Sequence, residues 1–344
     1  MLRLYTFADK RPDFIALQAD TVNRYLKDHH ELVVFNNAID SKDRFQEIER
    51  TCRALGLRTI HVSKNRSGSH IGGERVFSIF GRYRNPNLAC AYPINWAWKR
   101  MIDENSQNAF VLIDSDMFFC RPISLLERTA GKQAGVIMQY RGVNETYKRV
   151  DVNYFWNALA LFRPSELSDI ETIKWDCGKI NGHAVDVGGY IHYWLQGRPL
   201  HLHHFAETAI HSFSKVDVDQ FLIHFTYNGN LNLEFRFDSR RNKIVDFQVK
   251  DPNRSVQSTW IFPHIPETAV IDLVETAASV FCEYHLPNAT YGDPAIVGFV
   301  HSADLPFSKE PFIIHHKAGS SYLGHSDKYL HGKLEFIRSL LNIG

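Results

Sequence analysis

Short apolar runs alternate with longer helical patterns from the first residues to Ile113, and no other feature restricts the fold as strongly. Strand-like runs cover Leu2 to Phe7, Leu32 to Phe35 and Arg58 to Val62. Between them, Phe14 to Lys27 and Asp43 to Leu55 repeat apolar residues at helical spacing, and Gly56 is placed to cap the second helix. Strands separated by whole helices do not pair as tight hairpins, so the pattern predicts a parallel sheet with crossover helices. Ser63 to Pro86 carries too many Gly, Ser, Asn and Arg residues for a regular element and reads as a loop at the site. A long helix over Leu88 to Glu104 follows, with Trp96 and Trp98 read as packing residues, and then Ala109 to Ile113, apolar throughout as in a strand buried on both faces.

Further along, GVIMQY and NYFWNALALF predict two strands, Glu166 to Trp175 a helix, and HAVDVGGYIHYWLQG a glycine-interrupted turn leading into a helix. Pro199 to His204 reads as a strand, and Asp217 to Asp251 as hairpins with a turn at Asn228-Gly229. An amphipathic helix is expected over Ala269 to Tyr284, a late strand at PFII, and a terminal helix over Asp327 to Leu341. With 344 residues the chain can hold one large α/β domain with an insertion. The expected organisation is a catalytic core over 1–215, a strand-rich insertion or accessory lobe over 216–308, and a segment over 309–344 that returns to the core.

Charge and cysteine content exclude several classes. Basic and acidic residues number 39 and 38, without a long run of either sign, so no stripe for nucleic acid is expected. Five scattered cysteines without a C-x-x-C pair argue against a disulfide framework and against a cysteine zinc site. No apolar run reaches membrane-spanning length and no signal peptide is recognisable, which places the chain in the cytoplasm, with peripheral membrane contact and oligomeric state left open.

The chemistry gathers at Asp114-Ser115-Asp116, directly after the apolar strand. Open α/β sheets bind ligands outside the carboxyl ends of their strands. Two carboxylates two residues apart can converge on one hard cation, Mg²⁺ or Mn²⁺, which keeps positions for water and phosphate oxygens. The competing reading makes one aspartate a cap for the short helix in RPISLLER and leaves the other solvated.

AFVLIDSDMFF resembles the strand-plus-Asp-x-Asp signature of GT-A glycosyltransferases, and the order of elements from Leu2 to about Trp194 is similar too. The segment PFIIHHKAGSSY resembles the His-x-x-Gly segment of glycogenin-like nucleotide-diphospho-sugar transferases, although the Lys-Pro-Trp continuation of that family is missing. The resemblance implies a Rossmann-like, mixed and mostly parallel sheet, and a sugar moved from a nucleoside-diphosphate donor to a glycan or glycoconjugate hydroxyl. It implies that Asp116 binds the metal directly, that Asp114 contacts the metal or the donor ribose, and that His316 completes the metal site. An imidazole ligand favours Mn²⁺ over Mg²⁺. Lys317, Gly319 and Ser320 would face the leaving diphosphate, and Thr6, Phe7 and Ala8 the base or ribose.

Other candidates stand beside these. Arg75, Arg82 and Arg84 in the irregular segment could reach donor phosphates. The two glycines after Asp186-Val187 allow close backbone approach to a ligand, and the segment resembles the acidic, glycine-containing motif on the acceptor side of many GT-A enzymes, which implies Asp186 as general base or stabiliser of a cationic centre; its alternative is a helix N-cap. Asn157 is a candidate sugar contact, and Trp156 and Trp194 are candidate stacking faces, or else core. His201, His203, His204 and His211 form a weaker histidine group. Two other activities compete: a nucleotidyltransferase or pyrophosphorylase, for which LYTFADKRPDF lacks a glycine-rich phosphate loop, and a non-catalytic nucleotide- or carbohydrate-binding module.

Overall fold

The computed structural model describes residues 1–62, 70–71, 74–75, 86–144, 149–217, 220–227, 231–238, 240–241, 243–249, 297–302, 310–316, 337–338 and 341. It divides into two compact units, one of residues 1–142 and 151–203, the other of 143–150 and 204–344.

The first unit is α/β, with a mixed, mostly parallel sheet flanked by helices. Its elements begin β1 (Leu2–Ala8), α1 (Pro12–Tyr25), β2 (His30–Asn36), α2 (Lys42–Ala54) and β3 (Arg58–His61). The two-residue strands β4 (His70–Ile71) and β5 (Glu74–Arg75) precede α3 (Pro86–Glu104), β6 (Phe110–Ile113), β7 (Met117–Phe119) and α4 (Leu125–Arg128). Then come β8 (Ala134–Asn144), β9 (Arg149–Phe162), the hairpin β10 (Gly178–Ile180) and β11 (His183–Val185), and α5 (Ile191–Leu195). The sheet order is β8-β9-β6-β1-β2-β3. Strand β1 pairs in parallel with β2 and β6, β2 in parallel with β3, and β9 antiparallel with β6. Chain order runs outward from β1 to β3 and then crosses to β6 on the other side of β1. The switch point between β1 and β6 is where this architecture opens a ligand crevice.

Local chemistry explains the helices. Proline at the first turn and Asp13, bonded to Arg11 at 2.9 and 2.6 Å, start α1, whose Phe14, Ile15, Leu17 and Val22 are buried. Each such side chain contributes about 1.5–3 kcal/mol. Ser41 caps α2 by accepting from the Arg44 amide, and Gly56, at φ 65°, ends it as expected. One face of the sheet buries Ala8 and Val34 with Ile15 of α1 and Ile48 and Cys52 of α2. The other buries Tyr5, Phe35, Phe110 and Leu112 against Ile94, Trp98 and Met101 of α3. Trp98 is core, its ring N–H donating to the Ile170 carbonyl, whereas Trp96 is 37% exposed. The helix expected over Glu166 to Trp175 is instead two 3₁₀ turns, Pro164–Glu166 and Ile170–Thr172, separated by Asp169 at φ 54°. A left-handed residue breaks the helical ladder at that point.

The second unit is a sheet of β12 (Leu202–Asp217), β13 (Gln220–Tyr227), β14 (Leu231–Asp238), β15 (Lys243–Val249), β16 (Val297–Ser302) and β17 (Ile313–His315). Its order is β15-β14-β13-β12-β16-β17, with neighbouring strands antiparallel among the described residues. The expected hairpins and the late strand are present. The Asn228-Gly229 turn and the helix over Ala269 to Tyr284 lie outside the described residues, as does most of the terminal helix, of which 337–338 are helical.

Candidate functional site

Strand β6 buries all four of its residues, and β7, three residues on, buries all three of its own. The intervening turn therefore has its ends fixed in the core and its acidic residues at the carboxyl edge of the sheet. The Asp114 amide donates to the Ala158 carbonyl on β9 at 2.9 Å, and the Met117 amide closes the turn on the Asp114 carbonyl at 3.2 Å. Asp116 is 5% exposed, while Asp114 and Ser115 are half-buried. Ligand oxygens of Asp114 and Asp116 lie within 4.8 Å of one another. Oxygens sharing one cation at about 2.1 Å sit about 3–4 Å apart, so the pair fits Mg²⁺ or Mn²⁺ with a small adjustment. Asn157 donates to Asp114 Oδ1 at 3.0 Å. Its amide is thereby tied to a metal-ligand candidate.

The competing roles as caps do not hold. Helix α4 is capped by Ser124, which accepts from the Glu127 amide at 3.0 Å, and by Asp28, which accepts from Leu125 at 2.6 Å. Neither Asp114 nor Asp116 serves there. Asp186 is likewise no helix cap: its Oδ1 accepts from Val187, and the N-cap position of α5 is Tyr190, with no side-chain cap bond.

Asp186 does share the neighbourhood of the acidic pair. The Cys90 thiol on α3 is pushed up by burial and by the carboxylates of Asp114, Asp186, Asp9 and Asp116. Part of its surface is reached by solvent. Asp9, which directly follows β1, is one of these carboxylates and was not singled out from the sequence. Its signal was its place at a parallel strand's carboxyl end, the same logic that singled out Asp114. The backbone at Asp186 is held by Tyr154, whose hydroxyl accepts from the Asp186 amide at 3.2 Å and donates to Gln139 Oε1 at 2.7 Å. Burial pushes the Tyr154 phenol up to about 12, so it remains a donor at neutral pH.

The glycines after Asp186 face the fold. A Cβ on Gly188 would lie 2.3 Å from the Phe155 carbonyl oxygen, and one on Gly189 2.2 Å from Val185. The amides of Gly188, Gly189 and Tyr190 donate to Trp175, Asp186 and Asp176 carbonyls. Close approach is required, as the sequence indicated, but the nearest atoms belong to β9 and β11.

The remaining candidates divide by burial. Thr6 and Ala8 are fully or almost fully buried, so their side chains serve the core. Half-buried Phe7 stacks on Phe35 with ring centroids 4.7 Å apart. Trp194 is 7% exposed, with its N–H on the Asp169 carbonyl and the Arg198 guanidinium over its ring, and Trp156 is half-buried on β9. Arg75 lies in β5, while Arg82, Arg84, Lys317, Gly319 and Ser320 lie outside the described residues. Among the described residues, His201, His203 and His204 join no group of metal ligands.

In the second unit, Glu207 of β12 pairs with Val300, and Gly298 pairs with His315. Pairing partners share a face, so Glu207 and His315 flank a glycine on the intervening strand. A Cβ there would lie 2.6 Å from Glu207 Oε1, and its absence lets the buried Glu207 carboxylate bond His315 Nδ1. His316, the imidazole singled out by the resemblance, follows β17 and is fully buried.

No protein-family model and no curated protein sequence matches the chain. Partial overlaps exist with solved structures. A galactosyltransferase, LgtC, in complex with donor and acceptor sugar analogues is 14% identical over 50% of this chain and 62% of its own, with a TM-score of 0.31. An active-site mutant of the same enzyme gives 14%, 48%, 58% and 0.32. A mannosyltransferase from Pyrobaculum calidifontis, in complex with GDP-Man and Mn²⁺, gives 14%, 47%, 44% and 0.29. The overlap spans about half of this chain and less than two thirds of each of those proteins. Among the described residues, no helix is long and apolar enough to cross a membrane.

Proposed function

We propose that the chain is a metal-dependent glycosyltransferase that moves a sugar from a nucleoside-diphosphate donor to an acceptor hydroxyl on a glycan or glycoconjugate. The observation that carries this reading is the pair Asp114 and Asp116 at the carboxyl edge of β6, beside the switch point, with neither carboxylate used as a helix cap. An all-oxygen pair suits Mn²⁺ or Mg²⁺, and such a cation supplies charge neutralisation for a leaving diphosphate. Asn157 orients Asp114, and the buried strands on both sides hold Asp116.

Asp186 is the candidate base, or stabiliser of developing positive charge, because it shares the acidic neighbourhood and its backbone is tied to Tyr154. His316 is proposed as the third metal ligand, as the sequence resemblance implies, with its neighbour His315 as the alternative. In favour of His315, a carboxylate on one ring nitrogen fixes the tautomer and prepares the other for a metal. An imidazole ligand favours Mn²⁺. Donor-phosphate roles for Arg75, Lys317, Gly319 and Ser320 rest on sequence alone.

Slow hydrolysis of a panel of nucleotide sugars, with and without Mn²⁺, tests the assignment. Wild type should release nucleoside diphosphate only with metal, and Asp116→Ala should fold but lose that activity by about 10²-fold or more, the scale of one lost charge-stabilising group. Full metal-dependent turnover in folded Asp116→Ala would remove the assignment.

A further inference from the structure

The Asp114 to Met117 turn is held from α1 by one side chain. Gln18 is fully buried, and its Nε2 donates to the Asp114 carbonyl at 2.8 Å and to the Met117 carbonyl at 3.1 Å. Both partners are acceptors, so only the NH₂ end of the amide can face them, and the flip is fixed. Its Oε1 is then turned away, buried, and without a hydrogen-bond partner among the described residues. A buried carbonyl oxygen left in that condition is destabilising. A methionine or leucine of similar volume on this face of α1 would avoid it. What glutamine supplies here, against the cost of its orphaned oxygen, is the pair of bonds that satisfy and join the two turn carbonyls.

Those bonds join the carbonyls on either side of Ser115 and Asp116. The turn's own bond, from the Met117 amide to the Asp114 carbonyl, closes the loop at 3.2 Å, and Gln18 adds a bond to the Met117 carbonyl. We propose that Gln18 is a positioning residue for the cation site, clamping the turn so that the Asp114 and Asp116 carboxylates keep the spacing a single ion requires. It touches neither ion nor substrate and acts through the backbone. The inference rests on the metal reading above.

Mn²⁺ alone is the probe, titrated into the full chain by calorimetry and electron paramagnetic resonance, for wild type, Asp116→Ala, Gln18→Met and Gln18→Leu. Gln18→Met should retain one cooperative thermal transition and bind Mn²⁺ about 10- to 100-fold more weakly, the usual effect of losing an outer-shell partner. The resonance line shape of its residual complex should also change. A purely structural role would move the melting temperature and leave affinity per folded molecule unaltered. Wild-type affinity in folded Gln18→Met, with Asp116→Ala not binding, overturns the role of Gln18 alone. No Mn²⁺ binding by wild type overturns the metal reading and this inference with it. If neither Gln18→Met nor Gln18→Leu folds, glutamine is needed for folding instead, and the positioning role falls.

Discussion

Replacing Gly188 by alanine separates two reasons for the glycine pair after Asp186. Gly188 adopts φ +89°, and a Cβ there would lie 2.3 Å from the Phe155 carbonyl oxygen and 3.3 Å from Trp175 Cε3. The left-handed dihedral alone costs an L-residue about 1–2 kcal/mol. An ordinary carbon-to-oxygen contact is about 3.3 Å, so roughly 1 Å of movement is demanded from a backbone atom of central strand β9. Forcing a methyl group into a packed interior adds about 1–3 kcal/mol. The sum, about 2–5 kcal/mol, corresponds to a fall in melting temperature of roughly 4–20 °C for a unit of this size. Gly182→Ala provides the control: its φ is +82° with nothing within 4 Å of the added carbon, so only the dihedral cost applies. Thermal unfolding followed by tryptophan fluorescence suits the measurement, because Trp175 is fully buried beside the added methyl. Gly188→Ala should melt well below Gly182→Ala. Equal melting temperatures for the two variants would refute the packing explanation and restore a ligand-facing role for the glycine.

Two further outcomes follow from perturbed ionisations. Burial alone would raise the Glu104 carboxyl, but bonds from Arg58, Arg100 and Tyr5 outweigh it and hold the group at about 2, against an ordinary 4.5. With a depressed folded value, its stabilising contribution is complete above about pH 4.5 and disappears as pH falls towards 2. Glu104→Gln should therefore flatten the loss of stability across that interval in acid-unfolding curves, and an unchanged slope would contradict the cluster. Cys90, raised by burial and four carboxylates, should react with iodoacetamide more slowly at about pH 8.5 than a free cysteine, despite its solvent-reachable surface. A rate matching free cysteine, by mass spectrometry of the Cys90 peptide, would speak against the acidic surroundings.

The sequence determined the elements that depend on local periodicity and on residue type. Helices α1, α2 and α3, the parallel β1, β2, β3 and β6, and the Asp114 to Asp116 turn were legible because period, caps and a continuous apolar run are properties of neighbours along the chain. The 3₁₀ turns after β9 were misread as a helix because the left-handed Asp169 carries no strong local signal. The tertiary structure alone decided which distant groups meet. Gln18 reached the turn from α1, Asn157 bonded Asp114 across neighbouring strands, and Ser124 with Asp28 took the capping role otherwise open to the acidic pair. Gly298, seemingly an ordinary strand residue, proved to be the gap that admits the Glu207 carboxylate to His315. Each of these depends on strand order and register, which are set by the burial of whole faces, so no short stretch of sequence encodes them.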